Sequence, residues 1–192
     1  MKKLIVATGI FALAISANAQ DNLILPAVLN TGNSAPKAAM ATRSTRFIIG
    51  VEGGIPMGIM NTAGYKTGIG GSLGVAHNVA SSLDLNFRVG YINFGNKNTT
   101  PYKYHLSVIP VMAGITYWFS PTVFAKGELG AAFNSTKRSN STTSTSYTST
   151  EFAYSPILGV KVSQNLALLV KYFGDGDFNW FGFGAGLSFG SK

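Results

Sequence analysis

Two histidines, one of them close to a serine, bound the acid–base chemistry open to this sequence. His105 and Ser107 stand two residues apart in an apolar run, a spacing that puts both on one face of a β-strand. A serine beside a histidine is the beginning of a nucleophile and its general base. The arrangement still needs a third group to orient the imidazole, and no residue nearby supplies one. Pro110, three residues after Ser107, is expected to shift the register through a bulge and so disturb even the shared face. His77 stands alone at the end of another run. The 192 residues include no cysteine, and His, Asp and Glu show no metal-ligand spacing. The 23 glycines do not form a phosphate-binding loop. We therefore expect no catalytic residue, no cofactor and no metal.

The remaining chemistry is carried by charge. Glu52, Asp84, Arg88, Lys126, Glu128, Lys161 and Lys171 lie inside apolar runs, three acids against four bases, each on the polar parity of its run. Enclosed charges are costly unless paired, so these seven are expected to face one interior and join into a network. A second set, Lys66, Lys97, Lys103, Lys137 and Arg138, falls between runs, where the acids are Glu151, Asp175 and Asp177. These bases form a rim suited to phosphate groups. The formal charge of +8 is scattered singly rather than gathered in a stripe, which argues against nucleic acid as a partner.

The elements that position these charges read as strands. Eight runs rich in Val, Ile, Leu, Phe, Tyr and Gly occupy 47–56, 67–77, 82–94, 104–119, 123–133, 152–162, 166–173 and 180–189. Their lengths suit tilted strands crossing a bilayer, which takes about 9 to 11 residues. Connections after the second, fourth and sixth runs are short, and the others are long, so short and long turns sit at opposite ends. The segment 134–150, almost wholly Ser, Thr, Asn and Tyr, is expected to be a flexible external loop.

Alternation is clearest in the third run, where Leu83, Leu85, Phe87, Val89 and Tyr91 alternate with Asp84, Asn86, Arg88 and Gly90. The polar faces are dominated by Gly, Ala and Ser, as in Gly68, Gly70, Ser72, Gly74 and Ala76. A soluble barrel would turn this pattern inside out, but its water-facing side would need far more charge. Charged residues make up 11% of the chain against about 25% in ordinary soluble proteins. The small polar faces are therefore expected to enclose a polar lumen filled by side chains. Aromatic residues near the long loops (Tyr91, Phe94, Tyr102, Tyr104, Phe133, Phe152, Tyr154, Tyr172, Phe173, Trp180, Phe181) are expected to form one interfacial girdle. Those near the short turns (Phe47, Tyr117, Trp118, Phe119, Phe124, Phe189) are expected to form the other.

Ahead of the strands, Lys2 and Lys3 precede an apolar run to Ile15 and then Ala17, Asn18 and Ala19, the order of a secretory signal. The expected organisation is a signal peptide over 1–19, cleaved near Ala19, a flexible periplasmic leader over 20–46, a barrel over 47–189 and a tail over 190–192. Loss of Lys2 and Lys3 would lower the charge from +8 to +6. Elsewhere no apolar stretch has helical membrane length. Without cysteine, an exported chain must hold itself together by burial and backbone bonding alone.

The run SVIPVMAGITYWF at 107–119, a three-residue turn and VFAKGELGAAF at 123–133 resemble the outer-membrane β-barrel domain of the OmpA/OmpX-like "porin family" proteins. The closing WFGFGAGLSFG at 180–190 resembles the glycine-aromatic last strand read by the barrel-assembly machinery. The resemblance spans 47–189 and implies an all-β, eight-stranded, antiparallel up-and-down transmembrane β-barrel in the outer membrane of a Gram-negative bacterium. Short turns would face the periplasm and long loops the outside. Implied partners are outer-membrane lipids, lipopolysaccharide and the assembly machinery. Two departures stand out: no peptidoglycan-binding domain follows, and Lys192 stands where many relatives end on an aromatic residue, a place taken here by Phe189. The expected function is a non-enzymatic, structural role in the cell envelope, with surface adhesion or lipopolysaccharide contact through Lys66, Lys97, Lys103, Lys137 and Arg138. The alternatives are a narrow porin-like channel gated by the seven enclosed charges and a lipid-A-modifying enzyme using His105 and Ser107.

Overall fold

The computed structural model describes residues 44–96, 103–139 and 144–190. The expected signal peptide, most of the leader, Lys97 and the last two residues lie outside them. Eight strands follow in order: β1 Thr45–Met57, β2 Gly68–Ala80, β3 Leu83–Phe94, β4 Lys103–Trp118, β5 Val123–Ser139, β6 Ser144–Lys161, β7 Leu166–Asp175 and β8 Phe178–Phe189. Each pairs antiparallel with its sequence neighbours, and β1 pairs with β8 from Phe47 opposite Phe189 to Met57 opposite Asn179. The sheet is thus a closed barrel with no unpaired edge. It is the expected all-β architecture, with strand ends within three residues of the expected ones except in β5 and β6.

Those two strands correct the reading of 134–150 as a flexible loop. The β5–β6 ladder continues from Asn134 opposite Ser149 to Ser139 opposite Ser144, and β4 pairs with β5 along the same stretch, from Val108 opposite Asn134 to Lys103 opposite Ser139. Thr and Tyr favour extended backbone, and an arm continuing the barrel strands inherits their register, so pairing runs on beyond the buried Asn134 where little core is left to bury. Pro110 also departs from expectation. Val89 opposite Val111 and Ile92 opposite Val108 keep one register on either side of it, so the proline inserts no residue and makes no bulge. Its other edge pairs in register with Ala132. The one register shift in this region of the sheet lies between β2 and β3, at Asn78 and Ala80.

The period of two divides every strand into an outward and an inward face. Outward side chains are exposed and apolar: Ile69 is 76% exposed and Val51 67%. Inward residues fill the lumen as expected, but its expected polar character holds over only part of its length. Toward the long-loop end the lumen is apolar, packed with Ile92, Phe94, Leu106, Met112, Phe173 and Trp180. The Phe173 and Trp180 rings stack at 3.9 Å, and Phe94 tilts against Trp180 at 5.1 Å. A five-residue helix, α1 (Gly58–Thr62), lies in the first long connection and contributes the fully buried Met60 to this plug. Gly68 makes room for it, since a Cβ there would lie 2.6 Å from the Phe94 ring.

The girdles are correspondingly thinner than expected. Phe94, Phe173 and Trp180 belong to the plug, while Trp118 and the buried Phe124 pack against each other at 4.9 Å on inward parities near the other mouth. Tyr91, Phe133, Phe152, Tyr154 and Phe181 remain exposed toward the long loops, and Phe47, Tyr117, Phe119 and Phe189 toward the short turns. Tyr102 lies outside the described residues.

Candidate functional site

The middle of the lumen is held by charge. Arg88 on β3 donates from Nε and Nη2 to Glu128 Oε2 on β5, at 2.9 and 2.7 Å, and from Nη1 to Glu52 Oε1 on β1 at 3.1 Å. The other oxygen of Glu52 accepts from Lys171 on β7. Asn86 donates to Glu128 Oε1 at 3.2 Å and is itself held by the Thr116 hydroxyl at 3.0 Å. Four strands spaced around the barrel, β1, β3, β5 and β7, are therefore tied across its axis. The Glu128 side chain has no exposure and that of Lys171 2%. In so enclosed a setting the Coulomb attraction is weakly screened, and removing one partner strands the others. Lys126 stands off, 3.7 Å from Glu128 Oε1, outside hydrogen-bonding distance.

Five of the seven charges read from the sequence are thus brought together: Glu52, Arg88, Lys126, Glu128 and Lys171. Asp84 is not among them. It sits nearer the short-turn mouth and accepts from Arg46, from Asn78 Nδ2 at 2.9 Å and from Trp118 Nε1 at 2.8 Å. The Arg46 guanidinium also lies over the Trp118 ring, 5.7 Å from its centroid, in cation–π contact. Arg46 escaped the sequence reading because the apolar run starts at Phe47, whereas β1 opens at Thr45. Its parity, opposite to that of Phe47, was the available signal. For Lys161 no acid lies within ion-pair distance among the described residues.

The rim residues scatter. Lys66 is exposed, with its backbone N–H bonded to Gly95 O at 2.8 Å. Lys103 opens β4, and Lys137 and Arg138 lie in the β5 arm. Asp175, read as a loop acid, is instead fully buried at the end of β7, where it accepts from Asn134 Nδ2 at 2.9 Å. His105 and Ser107 both face outward, as their spacing predicts, but no hydrogen bond joins them among the described residues. Ser107 Oγ accepts from Asn93 Nδ2 at 2.8 Å and bonds the Tyr91 hydroxyl at 3.1 Å, so the serine is already committed. His77 bonds Thr45 Oγ1 through Nδ1 at 2.9 Å. Among the described residues no cluster of His, Asp and Glu is disposed to hold a metal.

No family model and no curated protein matches this chain. Solved structures do. Ail, the attachment invasion locus protein of Yersinia pestis, shares 20% identity, covers 77% of this chain and 99% of its own, and superposes at TM-score 0.59. The N-terminal β-barrel domain of Pseudomonas aeruginosa OprF is similar at 15% identity, 77% and 99% coverage and TM-score 0.51. Neisserial surface protein A is similar at 14% identity, 76% and 97% coverage and TM-score 0.50. The chain has the fold of the small eight-stranded outer-membrane barrels. An eight-stranded lumen is narrow enough for side chains to fill, which is what the charge network and the apolar plug do over its middle and long-loop end here.

Proposed function

We propose that this chain is an integral outer-membrane protein without enzymatic activity, a structural component of the cell envelope whose long loops meet the outside. One observation carries the reading. Between the two remaining girdles every outward position is uncharged and nearly all are apolar, on all eight strands, while the strand charges face the lumen. An apolar belt that encircles the molecule is far larger than the patches soluble proteins expose, and hydrocarbon is the solvent that suits it. Short turns then face the periplasm and α1 and the β5–β6 arm face outward. Export through the proposed signal over 1–19 and insertion by the assembly machinery, with Phe189 in the last strand, belong to the same reading.

For the loops we favour contact with the phosphates of lipopolysaccharide or another anionic glycan through Lys66, Lys97, Lys103, Lys137 and Arg138. Ail has also been solved in complex with the heparin analogue sucrose octasulfate, which shows that a barrel of this fold engages a polyanion. The test of the main reading is fractionation of expressing cells with gel migration before and after heating. The expected result is recovery in the outer membrane and a band whose mobility changes on boiling; recovery as a soluble periplasmic protein would refute it. Lipid A of unchanged mass in expressing cells is expected too, and a change that His105→Ala abolishes would restore the enzymatic alternative. Planar-bilayer recordings should show no steady current, since the lumen is filled in two successive layers.

A further inference from the structure

The lumen carries more positive charge than negative. Its acids are Glu52, Asp84, Glu128 and, at the long-loop end, Asp175, and its bases are Arg46, Arg88, Lys126, Lys161 and Lys171. All four are engaged: Asp84 by Arg46, Glu128 by Arg88 and more distantly by Lys126, Glu52 by Arg88 and Lys171, and Asp175 by Asn134. Lys161 has no acid in range among the described residues, and Lys126 has only a long ion pair, 3.7 Å from a Glu128 that Arg88 already holds.

Both border one space. A small recess with Lys126, Lys161, Thr116 and Asp84 set among apolar side chains such as Ile48 and Phe124 adjoins a mouth of about 450 Å³ at the short-turn end, and Arg46, Asp84, Trp118 and Lys161 line both. The rim of the mouth is hydroxylic, with Ser44, Ser81, Ser82 and Ser120 around it. Arg46, on the shared wall, gives Nη2 to Asp84 and leaves its buried Nε without a hydrogen-bond partner. Like charges confined beside low-dielectric walls repel, and an anion between them relieves the repulsion. Ammonium groups, a guanidinium and hydroxyls suit an anion that accepts several hydrogen bonds at once.

We propose that the short-turn mouth binds a phosphate group, either free inorganic phosphate or the phosphate of a lipid headgroup, with Lys161 as its principal partner and Lys126 behind it. The site requires the barrel alone and is independent of what the outer loops contact.

The test refolds the full chain in phosphate-free maltoside micelles and titrates it calorimetrically with inorganic phosphate in one arm and short-chain phosphatidylglycerol in the other. Saturable binding is expected in at least one arm. Lys161→Gln should weaken it at least tenfold, and Lys126→Met together with Lys161→Gln should abolish it. Glu151→Gln, which raises the net charge at the opposite end, should leave it unchanged. Heat-modifiable migration shows that each variant is folded; if Lys161→Gln does not fold, Lys126→Met alone carries the comparison. Binding in the phosphate arm assigns free phosphate, and binding only in the phosphatidylglycerol arm assigns the headgroup. No saturable binding in either arm overturns the site. So does a Glu151→Gln shift as large as that of Lys161→Gln, which would mean a diffuse field rather than a site.

Discussion

Replacing Glu128 with Gln should cost far more than its loss of one charge suggests, because three bases depend on two acids in the middle of the lumen. In the intact barrel Glu128 accepts two charge-assisted bonds from Arg88, at 2.9 and 2.7 Å, and one from Asn86. The amide keeps the shape and removes the charge, leaving Glu52 to serve Arg88 and Lys171 and Lys126 without its carboxylate partner. Hydrogen bonds to charged groups contribute about 1.5–3 kcal/mol each, and breaking a buried pair from one side costs about 3–5 kcal/mol, so a loss in that range is expected. The discriminating comparison is Arg88→Met with Glu128→Met. Removing both partners leaves Glu52 with Lys171 and fills the space with apolar atoms, an exchange that is often neutral. The double variant should therefore lose less than Glu128→Gln alone. Equilibrium urea unfolding of the refolded protein in micelles reads both, using the fluorescence of Trp118 and Trp180, the two tryptophans of the chain. A cost below about 1 kcal/mol for Glu128→Gln would refute the network, and so would a double variant whose loss equals the sum of the singles.

Leu73 is 63% exposed and outward, so Leu73→Arg should cost about 2–4 kcal/mol in a bilayer, measurable by the same unfolding in vesicles. On a water-facing surface the change would stay within about 0.5 kcal/mol. Trp180→Ala should cost about 3–5 kcal/mol through the cavity it leaves. It should still pass no steady current, because the charged layer beneath the plug is intact; current is expected only when it is combined with Glu128→Gln. Gly68→Ala should lose about 1–3 kcal/mol, since its Cβ would meet the Phe94 ring at 2.6 Å and that ring is backed by Trp180. An unchanged midpoint would show that the plug yields.

The barrel was legible because a period of two leaves little freedom once one face is apolar. Leu83 to Tyr91 and the charges between them define the strand, its faces and the direction of Arg88 together. Where the reading failed, it weighed depth over parity. Phe94, Phe173 and Trp180 were sorted by their nearness to long loops, yet each is one residue out of step with its outward neighbours, and one step turns a side chain from exterior to lumen. Arg46 was lost at a strand end for want of an apolar residue before it. The arm that β5 and β6 extend, with β4 beside it, was hidden because composition reports whether a core can form, and strands continued from a barrel need little of their own. Which charges pair could not be read at all. Arg88 reaches Glu128, and Lys161 reaches no acid among the described residues, because of how strands oppose one another across the axis, a consequence of strand tilt and stagger that linear spacing does not encode.

The seam between β1 and β8 gives this architecture an all-or-none character. The first strand to be made finds its second partner only in the last, through a ladder that runs from Phe47 and Phe189 to Met57 and Asn179. Until β8 is in place, every shorter chain is an open sheet whose β1 has a free edge, and contacts so distant in sequence form slowly. Losing the final strand would therefore not yield a slightly narrower barrel. It would leave two bare edges, a lumen open along its length and a set of acids and bases with no axis to meet across.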